Sequence, residues 1–151
     1  MKYCFLFLCS LLLLASCSKD SKKDPVPSIS FTGITDTVMK AASAEIIQVG
    51  INFSDGNGDL GVDPASGYFD IYTIDSRDSS EQGYYFPSDV PGLRRPGKAL
   101  SGSFVLDLEA AFVELRPDHP KGDTLYYDIY IRDQAGNKSN RVRTPTIILL
   151  P

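Results

Sequence analysis

Between Glu45 and Ser54 the chain alternates: Ile47, Val49, Ile51 and Phe53 take one parity, and Gln48, Gly50 and Asn52 take the other. Successive side chains of a strand point to opposite faces, so this stretch offers one face to a core and one to water. Asp123 to Asp133 repeats the pattern, with Leu125, Tyr127, Ile129 and Ile131 set against Tyr126, Asp128, Tyr130 and Arg132. Ser101 to Leu108 repeats it through Phe104, Leu106 and Leu108. From Ser28 onward no stretch keeps helical periodicity beyond two turns, and three such strands commit the chain to an all-β fold.

The intervening residues supply the remaining strands and the turns. Ser28 to Thr32 is an edge strand entered through Pro27, and Thr35 to Lys40 continues it after a kink at Gly33. Tyr68 to Ile74 is the third strand. Val142 to Leu149 is the last, and Pro145 inside it places it at an edge. Ser76 to Lys98 reads as loop, broken by Pro87, Pro91, Gly92, Pro96 and Gly97, with Tyr84-Tyr85-Phe86 as a short edge strand. Glu109 to Leu115 makes one helical turn between sheets, Pro117 to Gly122 a turn, and Gln134 to Asn140 a hairpin loop. About seven short strands with turn signals between them are what an Ig-like antiparallel β-sandwich needs, and residues 28–151 hold them. With 42% hydrophobic and 23% charged residues the composition is globular.

Within that pattern, Ile131-Arg132-Asp133-Gln134-Ala135-Gly136-Asn137-Lys138-Ser139 resembles the end of the penultimate strand and its hairpin in bacterial Ig-like and fibronectin type III-like domains, where an Asp-x-Ala-Gly-Asn-x-Ser pattern recurs. The resemblance implies the fold. The chain has no Trp and keeps no cysteine pair, so antibody-type recognition is not implied.

The N-terminus carries a different signal. Met1-Lys2 is basic, and Tyr3 to Ala15 is almost wholly apolar yet too short to cross a bilayer core of about 30 Å as a helix. It reads as an export signal. Leu14-Ala15-Ser16-Cys17 resembles the lipobox of bacterial lipoproteins, which implies removal of residues 1–16, a thioether diacylglycerol on Cys17 and acylation of its new amino group. At about 0.8 kcal/mol per buried CH₂, two or more such chains anchor a protein stably. Ordinary secretion with a free Cys17 is the alternative. Residues 17–27 are polar, charged and closed by Pro25 and Pro27, the composition of a flexible tether. The Ser18-Lys19-Asp20 start resembles the charged stretch that follows the lipidated cysteine in Bacteroidetes lipoproteins, which implies the outer membrane and exposure at its outer face. A solvated linker on a periplasm-facing protein is the plainer reading. Cys4 and Cys9 fall in the removed segment, so the mature chain forms no internal disulfide. Loss of Lys2 takes the formal charge from -4 to -5, which argues against nucleic acid as a partner.

One stretch carries candidate chemistry. Asp55, Asn57 and Asp59 occupy alternate positions among glycines directly after the Glu45 to Ser54 strand. Calcium takes six to eight oxygens at roughly 2.3–2.6 Å, and such loops supply several of them. The spacing resembles the Asp-x-Asn-x-Asp opening of EF-hand loops. It departs where Leu60 replaces the turn glycine and Ser66 stands in place of the terminal bidentate Glu, so further ligands must come from elsewhere in the fold. In an Ig-like sandwich this loop and the Asp133 to Asn140 hairpin share one end. Asp55 continues the inward series of residues 47 to 53, and Asp133 that of residues 125 to 131, which places both carboxylates at the inner rim with Asn137 nearby. Two carboxylates about 5 Å apart repel by roughly 3 kcal/mol at an effective dielectric near 20, a cost that a cation reverses. The same residues also make a good turn, with glycines at positive φ and Asp capping amides.

No other motif suggests a reaction. His119, the single histidine, sits between Asp118 and Pro120 in a turn, where nothing local holds it for general-base work. Tyr84-Tyr85-Phe86 and Arg94-Arg95 form an aromatic and basic stretch suited to a protein or glycan partner. The expectation is a membrane-anchored, non-catalytic binding or accessory module with a calcium-fixed loop end. Two alternatives stay open: a carbohydrate-binding accessory of a polysaccharide-uptake system, and a purely structural envelope protein.

Overall fold

The computed structural model describes residues 24–86, 93 and 97–151. The export signal, Cys17, Arg94 and Arg95 lie outside the described residues. The chain is an all-β sandwich of short strands: β1 (Ser28–Ile34), β2 (Val38–Lys40), β3 (Ile46–Asp55), β4 (Ile71–Asp75), β5 (Glu81–Tyr84), β6 (Leu100–Glu109), β7 (Asp123–Leu125), β8 (Tyr127–Ile131), β9 (Val142–Arg143) and β10 (Ile147–Leu150). One layer is β1-β3-β6. The facing strands are ordered β5-β4-β8-β9 and β2-β10-β7. Tyr126 alone separates β7 from β8, and residues 144–146 separate β9 from β10, so the two smaller sheets continue one another along the chain. These breaks, together with β2, are why ten strands appear where about seven are expected.

The inward series hold. Ile47, Val49, Ile51 and Phe53 of β3 meet Phe104, Leu106 and Leu108 of β6 and Leu125, Tyr127, Ile129 and Ile131 of β7 and β8 in one buried cluster. Burial of this apolar set is the main force holding the layers together, at about 25 cal/mol per Å². Alanines 110 and 111 with Phe112 form the 3₁₀ turn that crosses between sheets.

Four expectations need correction. The sandwich is not wholly antiparallel, because β2 pairs with β10 in parallel. The register of β1 on β3 slips between Phe31 and Gly33, and the chain then crosses to the other layer, where Ile148 N–H donates to Thr37 O at 2.8 Å. Asp36 sets the corner, its Oδ1 accepting from Thr37 and Val38 N–H. The edge expected from Pro145 holds only for the first part of the last strand: Pro145 lies in the break between β9, the edge of its sheet, and β10, which runs between β2 and β7. The third strand starts at Ile71 rather than Tyr68, and the fifth covers Glu81–Tyr84, leaving Tyr85 and Phe86 beyond its end.

The end of the sandwich away from the Asp55 loop is held by ions. Asp123 is buried and takes a bidentate pair from Arg116 at 2.8 and 2.9 Å. Arg77, fixed on Asp75 at 2.7 Å, approaches the same carboxylate at 3.5 Å. The Arg116 hydrogen bonds hold the Asp123 carboxyl well below the usual carboxylate range, against the opposing effect of burial. A depressed acid contributes stability above its unfolded pKa, near 3.9, and the contribution fades as pH falls through the folded value. Asp123→Asn is therefore expected to lose about 2 kcal/mol at pH 7, the buried-pair cost reduced because Arg116 is partly exposed. Its deficit should shrink in urea titrations repeated from pH 5 down to pH 2, whereas a deficit independent of pH would point to packing instead.

Candidate metal centre

The last residue of β3 is Asp55, paired in register with Leu100 of β6 and only 2% exposed. Its Oδ2 accepts the Asp59 N–H at 3.0 Å. Among the described residues its Oδ1 has no hydrogen-bond partner, and neither do the buried Oδ1 atoms of Asn57 and Asp59. An unpaired buried acceptor costs free energy of order 1–3 kcal/mol and is uncommon in a folded chain. Three of them fall within five consecutive residues, a cluster of oxygens left open to a cation or to water.

The loop is shaped for this arrangement. Gly58 and Gly61 adopt φ of 70° and 81°, conformations that glycine reaches without strain. Leu60 is fully buried in the core. That burial explains why an apolar residue stands where an EF-hand loop turns on glycine: the sandwich anchors the loop through this side chain. The Asn57 carbonyl accepts from Gly97 N–H at 2.7 Å, which ties the loop to the turn that leads into β6.

The second loop arrives as the parity of Asp133 implies. Gln134 N–H donates to Asp59 O at 3.1 Å, and its side-chain amide reaches Gly61 O at 3.0 Å. Asp133 is 1% exposed. Both of its carboxylate oxygens are taken by Asn137, Oδ1 from the main-chain N–H at 2.7 Å and Oδ2 from the side-chain amide at 2.8 Å. Asp55, Asn57 and Asp59 thus contribute unpaired oxygens. Asp133 contributes charge next to them, and Asn137 orients Asp133. Burial, then the charges of Asp133 and Asp55, push the Asp59 carboxyl above its usual value. Among the described residues no group of three or more His, Cys, Asp or Glu side chains is arranged to hold a metal by itself. A cation here would draw on the Asn57 amide oxygen and on further oxygens beyond the carboxylates, as hard cations commonly do.

Sequence reasoning missed the residue that fixes the exit of this loop. Asp70, 3% exposed, accepts from Val62 N–H at 2.6 Å through Oδ1 and from Phe86 N–H at 3.0 Å through Oδ2. It also missed how the chain reaches the site: Gly56 N–H donates to Asp24 O at 3.0 Å, so the last tether residues dock on the loop. The other singled-out residues lie elsewhere. His119 is 46% exposed in its turn, with Nδ1 3.0 Å from the exposed Asp118. Tyr84 is half-buried and lines a small cleft with Gln82, Glu109 and Phe112. Tyr85 is exposed, and Phe86 packs against Phe53 and Phe104 in the core.

No protein-family model and no curated protein matches the chain. Among solved structures it is similar to AggA, the major subunit of aggregative adherence fimbriae type I from Escherichia coli, at 14% identity and a TM-score of 0.24, over 82% of this chain and 95% of that one. Among the described residues no helix is long and apolar enough to cross a membrane.

Proposed function

We propose that the chain is a lipid-anchored, non-catalytic binding or accessory module of a bacterial cell envelope, with calcium fixing its loop end where the tether enters. The observation that carries the reading is the buried, unpaired Asp55 Oδ1 beside those of Asn57 and Asp59. Calcium suits the set because it is hard, prefers carboxylate and amide oxygens, and tolerates irregular geometry. The Leu14 to Cys17 box supports anchoring through lipid on Cys17, and the Ser18-Lys19-Asp20 start supports an outer-membrane, surface-facing location. The exposed His119, paired only with an exposed carboxylate in a turn, supports a role without catalysis.

The anchor and the site meet in one place. Cys17 stands seven positions before Asp24, a reach of at most about 25 Å when extended. The bond from Gly56 N–H to Asp24 O supports a loop end held on the membrane side of the domain. Cys17→Ala is expected to move the protein from the membrane to the soluble fraction and to abolish incorporation of labelled fatty acid. Continued membrane association without label would refute the lipid anchor.

A further inference from the structure

The solvent face of the β5-β4-β8-β9 sheet carries a row of aromatic rings. Tyr72 and Tyr130 are register partners on β4 and β8, and their rings stack at 4.9 Å and 6°. The partner of Tyr72 on β5 is Gly83. A side chain there would collide with the Phe69 ring, which lies across the sheet at that point. Phe69 meets Tyr72 edge-on at 6.4 Å and Tyr85 at 5.0 Å. Tyr68, Phe69 and Tyr85 are 49%, 37% and 42% exposed, so the row ends in uncovered rings.

Cations are set among these rings. The Arg132 guanidinium lies 4.0 Å above Tyr68. Lys138 Nζ is 4.7 Å from the Tyr130 centroid and donates to its hydroxyl at 3.1 Å, and Arg141 approaches the same ring at 5.8 Å. None of Arg132, Lys138 and Arg141 forms a salt bridge among the described residues, whereas Arg143 on the same face is committed to Asp128 at 2.8 Å. Two carboxylates share the face: Glu81 accepts from the Tyr130 hydroxyl at 2.9 Å, and Asp128, paired with Arg143, also interacts with Arg141. Arg132, Lys138, Arg141 and Arg143 outnumber them four to two, so in a chain of net charge -4 this face carries a local charge of opposite sign. The exposed large hydrophobics of this face are all aromatic. The exposed aliphatics Val38, Ile46, Val105, Ile148 and Leu150 belong to β2, β3, β6 and β10.

From this juxtaposition we infer that the face binds an anionic polysaccharide, with the C–H faces of uronate-type sugars stacking on Tyr68, Phe69 and Tyr85 and their carboxylates meeting Arg132, Lys138 and Arg141. Aromatic rings alone would suit a neutral glycan, and cations alone any polyanion. Their interleaving selects a ligand that repeats an apolar ring face and a negative charge in every unit. A flat protein partner would be met by aliphatic side chains as well, and the exposed ones lie elsewhere. Arg132 and Lys138 belong to the hairpin that also carries Asp133 and Asn137, but the rings and Arg141 lie outside the Asp55 loop, so the proposal does not require that loop to hold calcium.

The test is retention of the mature protein on immobilised polygalacturonate and on neutral dextran, each over a salt gradient. Retention on the polyuronate alone, weakening as salt rises, is expected. Tyr85→Ala and Arg141→Ala, both at exposed positions, should each weaken it about tenfold at unchanged melting temperature. Val105→Ala, on β6 in the other layer and 48% exposed, should bind as the parent does. Equal retention on dextran, no retention on the polyuronate, or retention unmoved by both face substitutions would each overturn the proposal.

Discussion

Calcium at a hundred times its dissociation constant is expected to raise the melting midpoint of the mature protein by roughly 10 °C. The figure follows from linkage: a ligand bound only by the folded state contributes about 2.7 kcal/mol at that excess, and 1 kcal/mol shifts a domain of this size by a few degrees. Asp59 gives the discriminating variant, because its Oδ1 is unpaired and its carboxyl is pushed up by burial and by Asp133 and Asp55. Asp59→Asn removes a charge held among like charges, so the metal-free protein should become more stable, by about 1 kcal/mol. The calcium response should be lost in the same variant. A plain turn predicts neither change.

The pH dependence has a definite sign. Asp59 has a folded pKa raised above its unfolded value, so in the metal-free protein this group disfavours folding at neutral pH and the penalty is relieved as pH falls through the raised value. Calcium requires the ionised carboxylate, so its binding should release a proton and weaken over that same interval. A melting midpoint that ignores calcium at pH 7 would remove the ion from this loop.

Much of this arrangement was legible because a strand has a period of two. The series 47 to 53 and 125 to 131 fix which way Asp55 and Asp133 face, and both carboxylates are buried at the rim on that parity. The hairpin pattern after Ile131 placed the second loop beside the first, where Gln134 now bonds Asp59 and Gly61. Periodicity assigns a face but not what covers it. Tyr130 takes the outward parity and is still 1% exposed, because Tyr72 stacks on it and Lys138 closes over its ring. The parallel β2 was illegible for a different reason. Val38 to Lys40 is too short to show a pattern, and its pairing depends on a slip at Gly33 and a corner at Asp36 that act across layers. The sheet-face rings were hidden by distance in sequence, since Tyr68, Tyr85, Tyr130 and Arg132 come together only once β4, β5 and β8 are aligned.

Asp70 shows the same limit in a single residue, and its replacement by Ala is expected to cost about 3–4 kcal/mol. In the sequence it sits between Phe69 and Ile71 as one more polar position in an apolar run. In the fold it precedes β4, and its two carboxylate oxygens bind Val62 N–H, at the exit of the Asp55 loop, and Phe86 N–H, beyond the end of β5. Ala would leave both buried donors unsatisfied, at about 1–3 kcal/mol each. Against a stability of roughly 5–15 kcal/mol for a domain, that is a large fraction. Phe86 packs on Phe53 and Phe104 at 5.7 and 5.1 Å, so releasing its backbone loosens the core beneath the loop as well. Asp70→Asn keeps the shape and one acceptor, and should lose about half as much. Because Val62 holds the loop that begins at Asp55, both variants should also bind calcium more weakly than the parent, in proportion to their loss of stability. Urea unfolding with and without calcium separates the two effects. A loss under about 1 kcal/mol for Asp70→Ala would mean that the two amides find other partners and that Leu60 and the Gln134 and Gly97 hydrogen bonds suffice to hold the loop.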